Sequence, residues 1–319
     1  MKINLSTLKY IVALEAYRNF VKAAEACGVT QPTLSAAIKK MEEELDIVIF
    51  DRNSHPVEPT VLGSRIVEMA RRTIYDVSLI EDLILDERNE ERGKIAMGML
   101  PTVAPYILPG LFREIRSNYP GVELRVSEMR TESLMEKLRS AQIDMAVMVA
   151  PQEHGALLEV PIYYERFVAY VSPEDEFYRL DGIPAESLSS DRMWVLEDGH
   201  CMNGEVSGLC QNKESAHAEY RAGSIDTLVR VVDSNGGYAV IPELHVPLLR
   251  DSQRGNVRPI VCRHSGEEGG YCCPVRRVSL MIREDFVREK MLNIVVDSIR
   301  NVIPDDMSDT GLKRFAIKI

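Results

Sequence analysis

Apolar residues near the start of the chain fall at helical spacing. Leu8, Ile11, Val12 and Leu14 predict a helix from Ser6 to Tyr17, with Ser6 or Thr7 placed to cap it. A second helix is expected from Phe20 to Cys27. Gly28 then breaks the pattern, Val29 turns inward, and Thr30 caps a third helix running through Leu45. Helix, glycine turn, helix is the helix-turn-helix arrangement. The third helix carries Gln31, Pro32, Thr33 and Ser35 at its N-terminal end, the end that meets base edges when such a helix lies in the major groove. Lys39 and Lys40 follow one turn later. Short helix-glycine-helix patterns also occur in proteins that read no DNA, so this one leaves both readings open.

Beyond Thr60, Leu62, Ile66, Met69, Thr73, Val77, Ile80 and Ile84 step by three and four through one long helical pattern, the seam of a helix that needs a partner. A single amphipathic helix lying on its own domain gives a similar stripe. Charges from Asp86 to Arg92, then Gly93, mark a boundary. From Lys94 the pattern changes. Short apolar runs (Ile95 to Leu100, Val122 to Val126, Met145 to Val149, Phe167 to Val171, Trp194 to Leu196, Val278 to Ile282) alternate with helical segments such as Leu108 to Asn118 and Leu134 to Ser140. Such alternation predicts α/β units with sites at the C-terminal ends of strands. The runs fall into two sets, 93–165 with 268–303, and 166–267.

Length and charge sharpen this division. At 319 residues the chain is too long for one ordinary domain, and an apolar fraction of 45% suffices for real cores. Residues 1–72 hold ten Lys/Arg against nine Asp/Glu, so the remainder carries −12 of the total −11. Only the N-terminal part sits comfortably on a polyanion, with moderate phosphate affinity. The six cysteines show no paired C-x2-C spacing, and the N-terminal apolar residues are interrupted by Lys9, Glu15 and Arg18. No apolar run approaches the roughly 20 residues that span a bilayer. The expectation is a cytoplasmic protein with reduced thiols, no membrane contact, no metal and no cofactor.

One stretch has chemistry of its own. Glu197-Asp198-Gly199-His200-Cys201 is followed nine positions after the cysteine by Cys210, with Gly204 and Gly208 between. Reaction with peroxide needs an exposed thiolate in electropositive surroundings and a second thiol to turn the sulfenic acid into a disulfide. His200 and a distant arginine can supply the first requirement and Cys210 the second. Two ordinary reduced thiols in a loop are the commoner meaning of such a pair.

Two resemblances narrow these alternatives. Ala23-Ala24-Glu25, Val29 through Ser35, Ile38 through Glu42, Leu45, Ile49-Phe50-Asp51-Arg52, and Thr60 with Gly63 resemble the winged helix-turn-helix of LysR-type regulators almost continuously. The resemblance implies that residues 1–60 bind double-stranded promoter DNA, with Thr30, Gln31, Pro32, Thr33, Ser35 and Lys39 at the DNA and Arg52 in the wing on a phosphate or the minor groove. It makes 61–92 a dimerising linker helix and 93–303 a two-lobed α/β effector domain like a periplasmic binding protein, followed by a tail, 304–319. Leu196 through Cys201, with Cys210, resembles the redox loop of the peroxide-sensing branch of that family. That resemblance implies Cys201 as the peroxidatic thiol, Cys210 as its resolving partner in a Cys201–Cys210 disulfide, and hydrogen peroxide as the signal. Thr102 and Thr131 would help bind peroxide in a pocket around Cys201, His200 would bind peroxide or fix the loop, and Arg277 of the Arg276-Arg277 pair would lower the thiolate pKa. Both threonines are equally good turn or N-cap residues by themselves.

The chain departs from the family pattern in places. Pro59 replaces an apolar residue in the wing, Met202-Asn203-Gly204 stands where an Arg-Asp pair is expected, and Arg263 to Pro274 is an unusual insertion holding Cys272 and Cys273 near Cys262 and His264. A metal or third redox site in that insertion is the alternative to spare thiols. The expectation is a homo-oligomeric, dimer-of-dimers, peroxide-sensing transcriptional regulator that also meets RNA polymerase and is not an enzyme. A regulator whose inter-lobe cleft binds a small metabolite is the alternative within the fold. A thiol peroxidase is the alternative outside it, although a catalyst has no use for residues 1–90.

Overall fold

The computed structural model describes residues 3–88, 91–151, 154–189, 191–196, 221–222, 224–263, 271–272 and 274–308. The chain forms two compact units, Met1–Glu90 with Arg139–Gln142, and the remainder.

The first unit opens with α1 (Leu5–Tyr17), α2 (Phe20–Ala26) and α3 (Gln31–Leu45). The cap of α1 is Asn4, not Ser6 or Thr7: its side chain accepts from the Thr7 N–H, and Ser6 and Thr7 lie inside the first turn. An amide oxygen one residue ahead of the helix reaches that donor, whereas a residue already in helical conformation cannot. Asn19 caps α2, Gly28 turns the chain at φ 66°, and Thr30 caps α3 by accepting from Thr33 N–H. Leu8, Ile11, Leu14, Ala23, Leu34, Ile38 and Met41 close the core between the three helices.

The wing is a two-residue ladder, β1 (Phe50–Asp51) against β2 (Glu58–Pro59), so Pro59 is accommodated as the partner of Phe50 at a sheet edge. The Thr60 hydroxyl then accepts from Gly63 N–H at the start of α4 (Val61–Glu87). A Cβ at Gly63 would lie 1.9 Å from the Ile49 carbonyl oxygen, so only glycine lets α4 leave beside the wing. One stripe of α4, including Val67 and Ala70, joins the core of the head. Another stays open: Met69 is 73% exposed and Ile80 59%, with Leu62, Val77, Leu83 and Ile84 also exposed.

The second unit is built on a mixed sheet. β3 (Gly93–Met99), α5 (Ala104–Asn118), β4 (Val122–Glu128), α6 (Thr131–Arg139) and β5 (Met145–Val149) form successive α/β units with β3, β4 and β5 parallel. β5 is buried at every position, as befits a strand covered on both faces. α5 starts four residues before the expected Leu108, because Val103 and Ala104 N–H groups already bond Leu100 O, and the helix then runs on through Pro109.

The long strand β6 (Leu157–Val171) changes partners along its length. Residues up to Arg166 pair with β13 (Val275–Arg283), and Phe167 onward pair with β10 (Tyr238–Pro242). Between them in sequence lie β7 (Ile183–Pro184), β8 (Met193–Leu196), β9 (Arg221–Ala222), α7 (Ile225–Asn235), β11 (Val257–Arg263) and β12 (Tyr271–Cys272). α8 (Glu289–Arg300) follows β13 and returns to the first lobe. Two cores result: one holds Ile95 to Tyr163 with Val278 to Met307, the other Phe167 to Ile260, and Tyr106 packs against both. β8 and β10 are parallel, so the chain leaves β8 after Leu196 at the edge where β10 also ends. Gly237, at φ 75°, brings β10 against β8; a Cβ there would meet Arg192 O at 2.4 Å.

Candidate functional site

In the head, the exposed residues at the start of α3 are Gln31, Pro32 and Thr33, with Ser35 half-buried and Lys39 exposed one turn on. Thr30 is occupied in capping, its hydroxyl 2.8 Å from that of Thr33. Lys39 and Lys40 form i,i+4 pairs with Glu43 and Glu44 at 3.5 and 3.9 Å, exposed contacts that hold little free energy against a phosphate.

Arg52 has a task beyond the one expected from the sequence. Its Nη2 lies 2.9 Å from Glu42 Oε2, and its guanidinium stacks 5.7 Å from the Phe20 ring. Glu42, almost wholly buried, accepts with Oε1 from the Ile49 and Phe50 N–H groups. One carboxylate on α3 thereby ties the backbone entering the wing to the wing's arginine. The sequence reading missed Glu42: its place on the inward face of α3 follows from helical spacing, but its partner Arg52 is set by packing.

In the second unit two of the expected residues follow the ends of strands. Thr102 follows β3 and Thr131 follows β4, two neighbouring parallel strands whose last rungs pair Met99 with Glu128. Thr102 is buried. Its hydroxyl accepts from Arg276 Nη1 at 3.2 Å, and its carbonyl accepts from Nη2 at 2.8 Å. The Thr131 Oγ1 is buried and finds no hydrogen-bond partner among the described residues.

Of the two adjacent arginines, it is Arg276 that the structure brings to Thr102. Successive residues of a strand point to opposite faces. Arg277, one third exposed, instead engages Glu159, with Nε 2.8 Å from Oε1 and Nη2 3.0 Å from Oε2, while Ser279 donates to the same carboxylate. Arg276 is wholly buried and paired with Glu165, where burial pushes the carboxyl pKa up and the guanidinium and the Leu244 N–H pull it down. Strand alternation announces that only one of the pair can face inward. Which one depends on register.

Tyr106 of α5 and His245, which follows β10, meet between the lobes, OH to Nδ1 at 3.1 Å with rings edge-on. Burial holds the tyrosine pKa well above its ordinary range and the imidazole below its own, with Asp226 opposing the latter. Both groups are therefore neutral near pH 7. His200, Cys201 and Cys210 lie outside the described residues, as do His264 and Cys273. Cys262 and Cys272 are directly opposed in the backbone register of β11 and β12. Among the described residues no group of His, Cys, Asp and Glu is arranged to hold a metal ion, and no helix is long and apolar enough to cross a membrane.

Comparison with known proteins bears on both units. Residues 5–64 match the bacterial regulatory helix-turn-helix model of the LysR family, and residues 88–303 match the LysR substrate binding domain. The chain belongs to the LysR family. It is 32% identical over 304 residues to the hydrogen peroxide-inducible genes activator of Haemophilus influenzae, covering 94% of this chain and 99% of that protein. It is 30% identical over 246 residues to the Escherichia coli DNA-binding transcriptional dual regulator OxyR, covering 77% and 81%. A full-length OxyR variant from Pseudomonas aeruginosa superposes with a TM-score of 0.77 at 28% identity, covering 93% of this chain and 97% of that one. The winged helix-turn-helix head, the long linker helix and the two-lobed α/β domain are thus the architecture of this family member.

Proposed function

We propose that this chain is a hydrogen-peroxide-responsive transcriptional regulator that binds double-stranded promoter DNA through residues 1–60, dimerises through 61–92, and senses through 93–303. The observation that carries this reading is that a buried Thr131 hydroxyl, without a partner among the described residues, and a Thr102 hydroxyl held by a buried guanidinium follow the ends of two adjacent strands. Such a site suits a molecule of two polar atoms. Relatives named for peroxide-inducible genes support the same ligand.

In the proposed reaction the Cys201 thiolate attacks one peroxide oxygen. The S–O bond forms as the O–O bond breaks, and the departing hydroxide takes a proton to leave as water. The Cys210 thiol then displaces a second water from the sulfenic acid, so two thiols and one peroxide become one disulfide and two waters. Thr131 contacts peroxide, and His200 contacts it or holds the loop. Arg276 is the arginine beside Thr102, while Arg277, whose expected part is to lower the Cys201 thiolate pKa, engages Glu159. Gln31, Thr33 and Ser35 read bases, and Arg52 meets the backbone from its seat on Glu42. The exposed stripe of α4 is the dimer contact of a dimer of dimers acting with RNA polymerase in the cytoplasm. The product of the chemistry is a conformational signal, not turnover.

The test is peroxide titration of the reduced protein with thiol counting and mass mapping. One equivalent should remove two thiols per chain and link Cys201 to Cys210. Cys210→Ser should stop at a trappable sulfenic acid, and Cys201→Ser should not react at that loop. A disulfide elsewhere with Cys201 still open to alkylation rejects the reading.

A further inference from the structure

The guanidinium that holds Thr102 is itself held by a carboxylate, Glu165, that the peroxide reading does not use. Glu165 and Arg276 are direct partners in the ladder between β6 and β13, the strands that join the lobes. Both side chains are wholly buried. Oε2 of Glu165 accepts from Arg276 Nε at 2.8 Å and lies 2.7 Å from Nη2, while Oε1 accepts from the Leu244 N–H at 3.0 Å. The guanidinium plane sits 5.8 Å from the Phe167 ring. Nη1 and Nη2 reach on to the hydroxyl and carbonyl of Thr102.

We propose that Glu165 is a positioning residue for peroxide reduction: it fixes the Arg276 guanidinium, which in turn fixes the Thr102 hydroxyl as a hydrogen-bond donor. The proposal rests on the peroxide reading given above. A hydroxyl has one hydrogen and accepts through its lone pairs. With the oxygen accepting from a cation, the hydrogen is directed elsewhere and the O–H is polarised. In the attack by Cys201 negative charge develops on the departing oxygen, and a preorganised donor there stabilises the transition state without having to reorganise.

The requirement at position 165 is for a carboxylate, and the geometry says why. Both oxygens accept, one from Arg276 and one from a backbone N–H of the other lobe. A glutamine in the same place has one acceptor and one donor pair, so it must turn its amide either against the guanidinium or against the Leu244 N–H. It also removes the Glu165 charge from beside the buried guanidinium. Either way Arg276 loosens and the Thr102 hydroxyl loses its direction.

The experiment uses the reduced full-length protein and compares the rate at which Cys201 reacts with hydrogen peroxide and with iodoacetamide across pH. Glu165→Gln should slow the peroxide reaction about tenfold or more, by analogy with loosening one preorganised donor. Alkylation should keep its rate and its pH midpoint, because iodoacetamide needs the thiolate but not the Thr102 donor. In a Thr102→Val background Glu165→Gln should have no further effect, since a residue acting through another is silent once that other is gone. Glu165→Asp, which keeps the charge, should recover most of the rate. Where Glu165→Gln does not give the wild-type circular dichroism and oligomer, Arg276→Lys carries the same expectation, because an ammonium cannot span Glu165 and both oxygens of Thr102. Equal peroxide rates in wild type and variant overturn the proposal. So does a parallel loss of alkylation, or additivity with Thr102→Val. A wild-type protein whose Cys201 ignores peroxide overturns the underlying reading and this one with it.

Discussion

Arg276 and Glu165 stand directly opposite each other in the two strands that pass between the lobes, and neither side chain touches solvent. A buried ion pair of this kind adds little net stability over a well-packed apolar pair, yet breaking it by removing one partner costs about 3–5 kcal/mol. Its contribution is therefore geometric. Thr102 of one lobe and Leu244 of the other are fixed to the same two side chains.

Gln31→Ala should abolish discrimination between operator and random DNA while leaving circular dichroism, oligomer and nonspecific affinity unchanged. The side chain is exposed at the start of α3 and takes no part in the core. Loss of one bidentate base contact is worth about 1–3 kcal/mol. Titration of both DNAs at several salt concentrations should show an unchanged salt slope for the variant.

Glu42→Ala should destabilise the head more than Arg52→Ala does. Removing Glu42 leaves the buried Ile49 and Phe50 N–H groups without acceptors, at about 1–3 kcal/mol each. Arg52 loses only a partly exposed ion pair and its stacking on Phe20, about 1 kcal/mol or less. Hydrogen exchange at residues 47–60 should rise in the Glu42 variant first, and Arg52→Ala should weaken DNA binding with a shallower salt dependence.

Charged substitutions at Met69 and Ile80 should yield species of lower order that bind DNA weakly. These are among the most exposed apolar positions of α4, whereas Ile66 of the same seam packs partly onto the head's core. Two half-sites about one helical turn apart need two heads held together. Light scattering that shows an unchanged mass would place the dimer contact elsewhere.

The buried His245 makes the effector domain acid-sensitive in a defined direction. Its folded-state pKa lies below that of the free imidazole, about 6.5, so the unfolded chain binds the extra proton first. The stabilising contribution is complete above that value and is lost as pH falls through the folded pKa. Denaturant unfolding of wild type should weaken on going from pH 7.5 to 5, and His245→Gln should flatten that trend. Tyr106→Phe, which removes the hydroxyl facing Nδ1, should cost about 1 kcal/mol at pH 7.

The sequence alone determined what depends on local rules. The three head helices follow from the spacing of Leu8, Ile11, Leu34 and Ile38, the turn from Gly28 and the cap at Thr30, because a 3.6-residue period and a capping hydroxyl need no distant partner. The alternation of strands and helices after Gly93 was legible for the same reason, as was the open stripe of α4. Tertiary structure decided what depends on register and on chain segments far apart in sequence. Adjacent arginines are equivalent in sequence, but β13 pairs Arg276 with Glu165 and directs it to Thr102, 174 residues away, while Arg277 goes to Glu159. A one-residue slip of a strand exchanges its faces, so no local pattern could have chosen between them. Glu42 and Arg52, Tyr106 and His245 likewise became partners only when packing brought their elements together.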